Sequence, residues 1–188
     1  MPAVTASDAA PPGAASRPIV LVGMMGSGKS TVGRRLAARL GRRFVDADKA
    51  LEERCGVPIA TIFELEGEDG FRRRETAILD ELSRLPEIVL ATGGGAVTRD
   101  ENRRILAERG LVIFLQASIT DLWQRLRRDR TRPLLQTANP RERIAELLAE
   151  REPQYREIAD IVAVSARQPV DDLVADIIDR LPEEFRAG

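Results

Sequence analysis

The sequence predicts an α/β fold in which five parallel strands form a central sheet and helices cover both of its faces. Short, continuous apolar runs alternate along the 188-residue chain with longer segments whose apolar residues recur at helical spacing. A strand that is covered on both faces is apolar at every position, so such runs indicate a parallel sheet. The composition agrees, because 43% of the residues are hydrophobic but only 4% are aromatic, which favours a core of Val, Ile, Leu and Ala. A chain of this length most simply forms one domain.

The predicted elements can be assigned in order along the chain. The strands lie at residues 19–22, 44–45, 88–91, 111–115 and 161–164. The helical segments lie at 32–40, 49–55, 58–85 with an interruption at 67–70, 99–108, 120–130, 141–151 and 170–181. Residues 1–17 are rich in Ala, Pro and Ser and are predicted to be a disordered extension, because they cannot bury enough apolar surface to fold. Residues 18–188 are predicted to form the single domain.

Charge, histidine and cysteine counts exclude several classes of protein. The 29 basic and 30 acidic residues give a net charge of −1, which argues against binding of nucleic acid or membrane surfaces through bulk charge. The chain has no histidine, so a general base is expected to be a carboxylate or a lysine. The single Cys55 excludes an internal disulfide and a cysteine-built zinc site. No apolar run approaches the about 18 residues of a membrane span, and we expect a cytoplasmic protein.

One stretch of the sequence indicates a nucleotide site. The residues GMMGSGKST at 23–31 match the phosphate-binding pattern G-x-x-x-x-G-K-[ST], in the strand–loop–helix setting that this pattern requires. Glycines let successive backbone N–H groups converge on phosphate oxygens, and the N-terminus of the following helix adds partial positive charge. In this pattern Lys29 reaches the β- and γ-phosphates and the Ser30 hydroxyl is a ligand of Mg²⁺. The alternative is a glycine-rich turn that binds nothing.

Two aspartates follow the second predicted strand. Asp46 and Asp48 are two positions apart, so their side chains lie on the same side if the strand continues through them. Beside MgATP, one carboxylate could hold the metal through water, and the other could accept a proton or a hydrogen bond from a substrate hydroxyl. The alternative is that these acids cap the helix that follows.

A run of three glycines follows the third predicted strand. Ligands of parallel sheets bind beyond the carboxyl ends of the strands, where Gly93-Gly94-Gly95 and the segment after Leu115 lie together with the two aspartates. Consecutive glycines weaken regular structure and indicate close approach of the backbone by a ligand. A bare turn is the alternative.

Arginines cluster in three places. Arg72–Arg74 cannot all face one pocket, because successive helical residues turn by about 100°; we expect one to point inward, held by Glu75 three positions after Arg72. The alternative is an exposed basic face. The segment Arg125–Arg132 indicates a lid that closes over ATP, as opposed to a salt-bridged surface helix. Arg151 lies between two glutamates and, taken alone, indicates a surface ion pair.

Taken together, these residues resemble the shikimate kinase family over about residues 18–181. The motifs that carry the resemblance are, in chain order, GMMGSGKSTVGRRLA, FVDADKALEE, IATIFELEGEDGFRRRE, LATGGGAV, RPLL and REPQYREIAD. The resemblance implies a three-layer P-loop kinase fold of the nucleoside-monophosphate-kinase-like group, with a lid at about 128–140 and a substrate-binding helical segment. It also implies an enzyme that uses Mg²⁺ and transfers the γ-phosphoryl group of ATP to the 3-hydroxyl of shikimate, in the route to chorismate and the aromatic amino acids. We expect the protein to be a monomer.

The resemblance also assigns roles on the ATP side of the site. It implies that Lys29 and the lid residue Arg132 act on the transferring phosphate, and that Ser30 and Asp46 surround Mg²⁺. The ATP-binding set that it implies is Gly26, Ser27, Gly28, Lys29, Ser30, Thr31, Arg125, Arg132, Arg167 and Pro169, of which Arg125, Arg167 and Pro169 resemble the set that sandwiches adenine.

On the substrate side, the resemblance implies that Asp48 hydrogen-bonds the shikimate hydroxyls and takes the proton. Arg72 and Arg151 are similar to the two arginines that grip the substrate carboxylate. The glycine run donates N–H groups to the substrate, and two phenylalanines form an apolar wall. The substrate-binding set is Asp48, Phe63, Phe71, Arg72, Gly93, Gly94, Gly95 and Arg151.

Three other functions compete with this interpretation. The nearest is another small P-loop kinase, acting on gluconate or a nucleoside monophosphate. A second is an ATP-binding regulator that has lost turnover, which would have to retain Lys29, Asp48 and Arg132 without catalytic use. A dinucleotide-binding oxidoreductase is disfavoured by the Gly-Lys-Ser ending of the loop. The sequence departs from the family pattern in the N-terminal extension, in Met24-Met25 and at 136–139.

Overall fold

One parallel sheet forms the centre of the protein, whose computed structural model describes residues 17–127, 135, 137–165 and 168–186. The five strands pair in the order β2-β3-β1-β4-β5, and every pair is parallel. They are β1 (Ile19–Val22), β2 (Arg43–Asp46), β3 (Ile88–Ala91), β4 (Leu111–Gln116) and β5 (Ile161–Val164). The carboxyl ends of all five strands therefore meet at one edge of the sheet, which is where parallel sheets bind ligands.

Helices connect the strands and cover both faces of the sheet. In the part of the chain that the structure describes, they are α1 (Lys29–Arg39), α2 (Ala47–Cys55), α3 (Ile59–Leu82), α4 (Asp100–Arg109), α5 (Ile119–Leu126), α6 (Pro140–Ile158), α7 (Val170–Arg180) and α8 (Glu183–Arg186), with a 3-10 turn at Ala96–Thr98. None of these described helices is both long enough and apolar enough to cross a bilayer.

The core consists of two apolar layers, one on each face of the sheet. Alternate residues of β1 separate them: Val20 packs with Leu79 and Leu106 of α3 and α4 on one face, whereas Leu21 packs with Leu36 and Ile177 of α1 and α7 on the other. Because apolar layers cover both faces of β1, all four of its residues are apolar and buried. The α/β architecture with a five-stranded parallel sheet, predicted from these runs, is confirmed.

A third apolar cluster joins the loop after β1 to helices α5 and α6. Met24 and Met25 are buried there against Leu122, Leu126 and Ile144. The loop that carries the phosphate-binding motif is thus packed directly onto the helices that flank the predicted lid.

The boundaries of α2 and α6 differ from the sequence-based assignment in ways that bear on the site. Strand β2 ends at Asp46 and α2 begins at Ala47, so the strand does not continue through both aspartates. The Asp46 side chain accepts a hydrogen bond from the Lys49 amide and caps the helix, which was the alternative. Helix α6 continues to Ile158 although Pro153 lies inside it. Proline removes one helical hydrogen bond, but burial of this helix against the sheet outweighs that loss.

Helix α3 is interrupted at a single residue within the predicted break at 67–70. Gly67 has φ 70° and ψ −175°, whereas the residues on either side continue as helix. Phe63 and Phe71 lie on opposite sides of this kink and stack with ring centroids 4.5 Å apart. The kink therefore brings two aromatic side chains together that a straight helix would place two turns apart.

Two predicted regions lie largely outside the described residues. Of the predicted lid at about 128–140, the structure describes only residue 135 and residues 137–140. Of the predicted extension at 1–17, it describes Arg17, whose guanidinium donates to the carbonyls of Arg109 and Gly110.

Candidate active site

The phosphate-binding motif forms a tight loop between β1 and α1. Gly26 and Gly28 have φ of 78° and 97°, conformations that residues with a Cβ rarely adopt, and Gly28 directly precedes the first turn of α1. The Lys29 ammonium group folds back over the loop and donates to the carbonyls of Gly23 and Met24, at 2.8 and 2.9 Å. The lysine is thus buried at the N-terminus of α1, where the partial positive charge of the helix favours an anion such as phosphate.

Ser30 and Asp46 meet at the edge of this loop. The Ser30 hydroxyl donates to Asp46 Oδ2 at 2.8 Å, while Asp46 Oδ1 accepts from the Lys49 amide at 3.3 Å. The sequence left open whether Asp46 caps the following helix or lies beside the phosphate loop. Its carboxylate does both. Asp48 lies in the first turn of α2, where the partial positive charge of the helix terminus favours a negative side chain.

These residues open into one cleft at the carboxyl edge of the sheet. Its volume is about 230 Å³. The residues that line it come from the phosphate loop, the start of α1, the two aspartates and the loop after β3, and they are Met25, Gly26, Gly28, Lys29, Ser30, Thr31, Asp46, Asp48, Thr92 and Gly94. The fold thus brings together three stretches that are separated along the chain.

Arg72 is the arginine of the 72–74 run that points inward. Its side chain is buried, whereas Arg73 and Arg74 are exposed. The Arg72 guanidinium donates to Glu75 Oε2 at 2.7 Å and to Glu68 Oε1 at 3.3 Å. The predicted contact between Arg72 and Glu75 is confirmed.

Buried charges shift the protonation of this pair. Burial raises the pKa of Glu75, and nearby Asp48 raises it further, whereas Arg72 and Arg151 oppose the rise. Burial alone would lower the pKa of Arg72, but Glu75 and Glu68 together raise it, so the arginine stays charged. A permanent positive charge is therefore held in a dry environment next to the cleft.

Arg151 lies in the same buried cluster. It is 4% exposed, so the surface ion pair that its neighbours in sequence indicated is wrong. Its Nε and Nη1 atoms are buried and have no hydrogen-bond partner among the described residues. Buried donors of a charged group are costly to leave unpaired, so this guanidinium fits an anionic ligand.

The Gly93–Gly95 loop is packed between these charged groups and the phosphate loop. A Cβ at Gly93 would lie 2.8 Å from Asp48 Oδ1, and one at Gly95 would lie 2.4 Å from Arg72 Nη2. A Cβ at Gly94 would lie 3.0 Å from the Met25 amide. The glycines are thus needed because side chains and backbone approach the loop from three directions.

Comparison with known proteins agrees with this arrangement. Residues 25–182 match the family model described as shikimate kinase. The chain is 53% identical over 164 residues to the shikimate kinase of Bordetella avium, covering 87% of this chain and 78% of the relative, and 51% identical over 187 residues to that of Nitrosospira multiformis, covering 100% and 96%. The structure of shikimate kinase from Acinetobacter baumannii in complex with shikimate superposes with a TM-score of 0.85 at 45% identity, covering 89% of this chain and 96% of that chain. The chain belongs to the shikimate kinase family.

Membership of the shikimate kinase family confirms the resemblance drawn from the motifs, and with it the kinase class, ATP as a substrate and the three-layer fold. Some residues that the motifs assigned cannot be located, because Arg132 and Arg167 lie outside the described residues. Pro169 directly precedes α7.

Arg125, which the shikimate kinase motifs assign to ATP binding, forms hydrogen bonds within the protein. Its guanidinium donates to the Gly26 carbonyl at 3.0 Å and to Oγ and the carbonyl of Ser165, both at 3.2 Å. It therefore links the phosphate loop to the end of β5, where Ser165 directly follows the strand.

Two residues of this shikimate kinase site were missed by the sequence analysis. Ser165 has no motif around it, and nothing in the sequence marks it. Tyr155 donates a hydrogen bond from its hydroxyl to the Gly94 carbonyl. Its spacing was an available signal, since it lies four positions after Arg151 and so faces the same side of α6.

Proposed function

We propose that this chain phosphorylates the 3-hydroxyl of shikimate with ATP, giving shikimate 3-phosphate and ADP. The observation that carries the proposal is the position of Asp48. It lines the phosphate-loop cleft, and its carboxylate and that of Glu75, the partner of Arg72, both lie beside Gly93. It thus links the phosphate loop to the cluster that contains the buried arginine. Family membership and the relative solved with shikimate support the choice of acceptor.

The phosphate loop is proposed to bind the triphosphate of ATP. The amides around Gly26, Ser27 and Gly28 and the N-terminus of α1 would bind phosphate oxygens. Lys29 would exchange its two carbonyl partners for the β- and γ-phosphates. The remaining predicted ATP contacts are Thr31, Arg125, Arg132, Arg167 and Pro169, with Arg132 acting on the transferring phosphate from the lid.

The residues around Ser30 fit a magnesium ion. Ser30 Oγ and Asp46 Oδ2 are hard oxygen ligands, lie 2.8 Å apart and face the cleft, and Mg²⁺ prefers such ligands together with water and phosphate. The chemistry that Mg²⁺ supplies when bound is neutralisation of charge on the phosphate oxygens. Asp46 would orient the Ser30 hydroxyl, and its cap on α2 would hold that carboxylate in place.

The buried arginines are proposed to bind the carboxylate of shikimate. Arg72 is held by Glu75, and Nε and Nη1 of Arg151 have no hydrogen-bond partner among the described residues, so the two guanidinium groups can donate to an anion. The N–H groups of Gly93–Gly95 would contact the ring substituents. The stacked pair Phe63 and Phe71 would form the apolar wall.

Asp48 is proposed to accept the hydrogen bond, and then the proton, of the attacking hydroxyl. No histidine is present in the chain, and of the two carboxylates that line the cleft, Asp46 accepts from Ser30 whereas Asp48 lies beside Gly93 of the glycine loop. Transfer would then proceed in line, from ATP on the phosphate loop to the oxygen beside Asp48. Most of the rate would come from positioning and charge neutralisation.

The deciding experiment is release of ADP across a panel of acceptors. Shikimate is expected to stimulate release strongly, whereas gluconate and a nucleoside monophosphate are expected to give the background rate. Asp48→Asn should lose the stimulation while still binding ATP. Equal stimulation by gluconate, or full turnover of the variant, would overturn the assignment.

We also propose that the enzyme is a cytoplasmic monomer. ATP is supplied in the cytoplasm, and the single Cys55 gives the chain no internal disulfide to form in an oxidising compartment. Light scattering coupled to size exclusion should give the mass of one chain, and cell fractionation should recover the protein with cytoplasmic markers.

A further inference from the structure

Tyr155 is the residue at which three parts of the site meet. Its side chain is fully buried in α6, and its ring stacks on Phe114 of β4 with centroids 5.1 Å apart. The hydroxyl donates to the Gly94 carbonyl and lies 3.8 Å from Met24 Sδ. One side chain of α6 therefore contacts β4, the glycine loop and the phosphate loop.

The hydrogen bond from Tyr155 to the Gly94 carbonyl restrains the whole peptide group between Gly94 and Gly95. The peptide bond between Gly94 and Gly95 is planar and trans, so its carbonyl and its N–H point in opposite directions. When Tyr155 holds the Gly94 carbonyl, the Gly95 N–H is turned away from Tyr155. Glycine imposes little restraint of its own, so without such a partner this peptide could rotate.

The environment of Tyr155 keeps its hydroxyl a donor. Burial raises the pKa of Tyr155, which Arg151 opposes only in part, so the phenol is protonated at neutral pH. The hydroxyl is buried with its acceptor, and a buried O–H group is costly to leave unpaired. Both effects favour one fixed geometry at the Gly94 carbonyl.

We propose that Tyr155 is a positioning residue for the phosphoryl acceptor. Its hydroxyl sets the orientation of the Gly94–Gly95 peptide and thereby aims the Gly95 N–H at the substrate, next to Arg72. The role rests on the proposed function, because it concerns how shikimate is held, and it goes beyond it, because Tyr155 itself does not touch substrate or ATP.

The test is Tyr155→Phe, which keeps the ring and its stacking on Phe114 and removes the hydroxyl alone. The KM for shikimate is expected to rise about tenfold, as for loss of one well-placed hydrogen bond, while the KM for ATP stays within about twofold. The matched control is Ser83→Ala, which removes another buried hydroxyl that donates to a backbone carbonyl, that of Asp80, far from the site. Ser83→Ala should lower the melting temperature without changing either KM.

A second readout does not depend on turnover. In protein labelled with nitrogen-15 glycine, the Gly95 amide signal of the unliganded enzyme should shift and broaden in Tyr155→Phe and stay unchanged in Ser83→Ala. Because Tyr155 is the only tyrosine of the chain, incorporation of 3-fluorotyrosine gives a single fluorine resonance, which should move when shikimate is added.

The outcomes separate the two proposals. If the wild-type protein does not phosphorylate shikimate, the proposed function fails, whereas the Gly95 signal still tests whether Tyr155 holds the peptide. If Tyr155→Phe only loses stability, with both KM values and the Gly95 signal unchanged, the positioning role is overturned. Should that variant not fold, an unmoved fluorine resonance in the labelled wild-type enzyme on saturation with shikimate overturns it equally.

Discussion

Ser30 Oγ donates to Asp46 Oδ2 across 2.8 Å, which joins the first turn of α1 to the last residue of β2. Helix α1 follows β1 in the chain and leads to β2, yet β1 and β2 are not neighbours in the sheet, because β3 lies between them. The contact therefore exists only because the chain crosses over β3 between them. It gives one carboxylate two tasks, and these can be separated by experiment.

Substitution of Asp46 should divide capping from metal binding. Asparagine is as good an N-cap as aspartate but carries no charge, so Asp46→Asn should keep the melting temperature and raise the Mg²⁺ concentration needed for half-maximal activity. Asp46→Ala should lose both functions and cost about 1 kcal/mol in the free energy of unfolding. Thermal melts and a Mg²⁺ titration of ADP release measure the two effects; identical titrations for wild type and Asp46→Asn would contradict the metal role.

Removal of the loop lysine should abolish most of the rate. Lys29→Met takes away the positive charge that is proposed to bind the phosphates, and the turnover number should fall by about 10²–10³, as when one charge-stabilising donor is lost. Lys49→Met is the control, because Lys49 is exposed and only its backbone amide takes part in the cap. Steady-state kinetics should show the loss for Lys29 alone.

A methyl group at Gly95 should disturb the arginine that faces it. The added Cβ of Gly95→Ala would lie 2.4 Å from Arg72 Nη2, so the guanidinium must move. We expect the KM for shikimate to rise at least about tenfold, since charge-assisted hydrogen bonds contribute about 1.5–3 kcal/mol. Gly41→Ala is the matched control, with a positive φ of 64° but nothing within 4 Å of the new Cβ. It should lose some stability and leave the KM unchanged, and a similar KM for both variants would exclude the steric explanation.

The ionisation of Tyr155 should couple to stability at alkaline pH. Burial raises the pKa of Tyr155 above that of an exposed tyrosine, so the folded state holds this proton more tightly than the unfolded state. The contribution to stability is complete below the pKa of about 10 of an unfolded tyrosine and is lost as the pH rises through the folded value. In an alkaline titration, the ultraviolet absorbance of tyrosinate should therefore rise at a higher pH than for free tyrosine. A rise at the pH of free tyrosine would show that the hydroxyl is accessible to solvent.

The fold could be predicted from sequence because its strands are covered on both faces. A run such as Ile19–Val22 is apolar at each position for that reason, and the intervening helices follow from their periodicity. The end of β2 was harder to predict, since Asp46 and Asp48 suit either a strand or a capped helix, and the cap geometry decided it. Helix α6 was predicted too short, because the burial of Tyr155 and Ile158 that continues it past Pro153 depends on the tertiary structure.

The site was predictable where residue type and spacing carry the chemistry, and not where the fold alone brings residues together. The phosphate motif and the contact between Arg72 and Glu75 depend on positions close in sequence. The hydrogen bond from Tyr155 to Gly94 joins residues that are 61 positions apart. The burial of Arg151 likewise depends on elements that are distant in the sequence. No local pattern encodes such contacts.

The kink at Gly67 divides α3, which carries three of the proposed substrate-binding residues, into two units of different character. Before it lies the turn that carries Phe63, and after it lies the turn that carries Arg72 with its buried glutamate. If the proposed roles hold, changes in the first unit can alter the apolar surface that faces the substrate ring while Arg72 continues to bind the carboxylate. Homologues could thus diverge in how they enclose a cyclic acid without first giving up their hold on its charge.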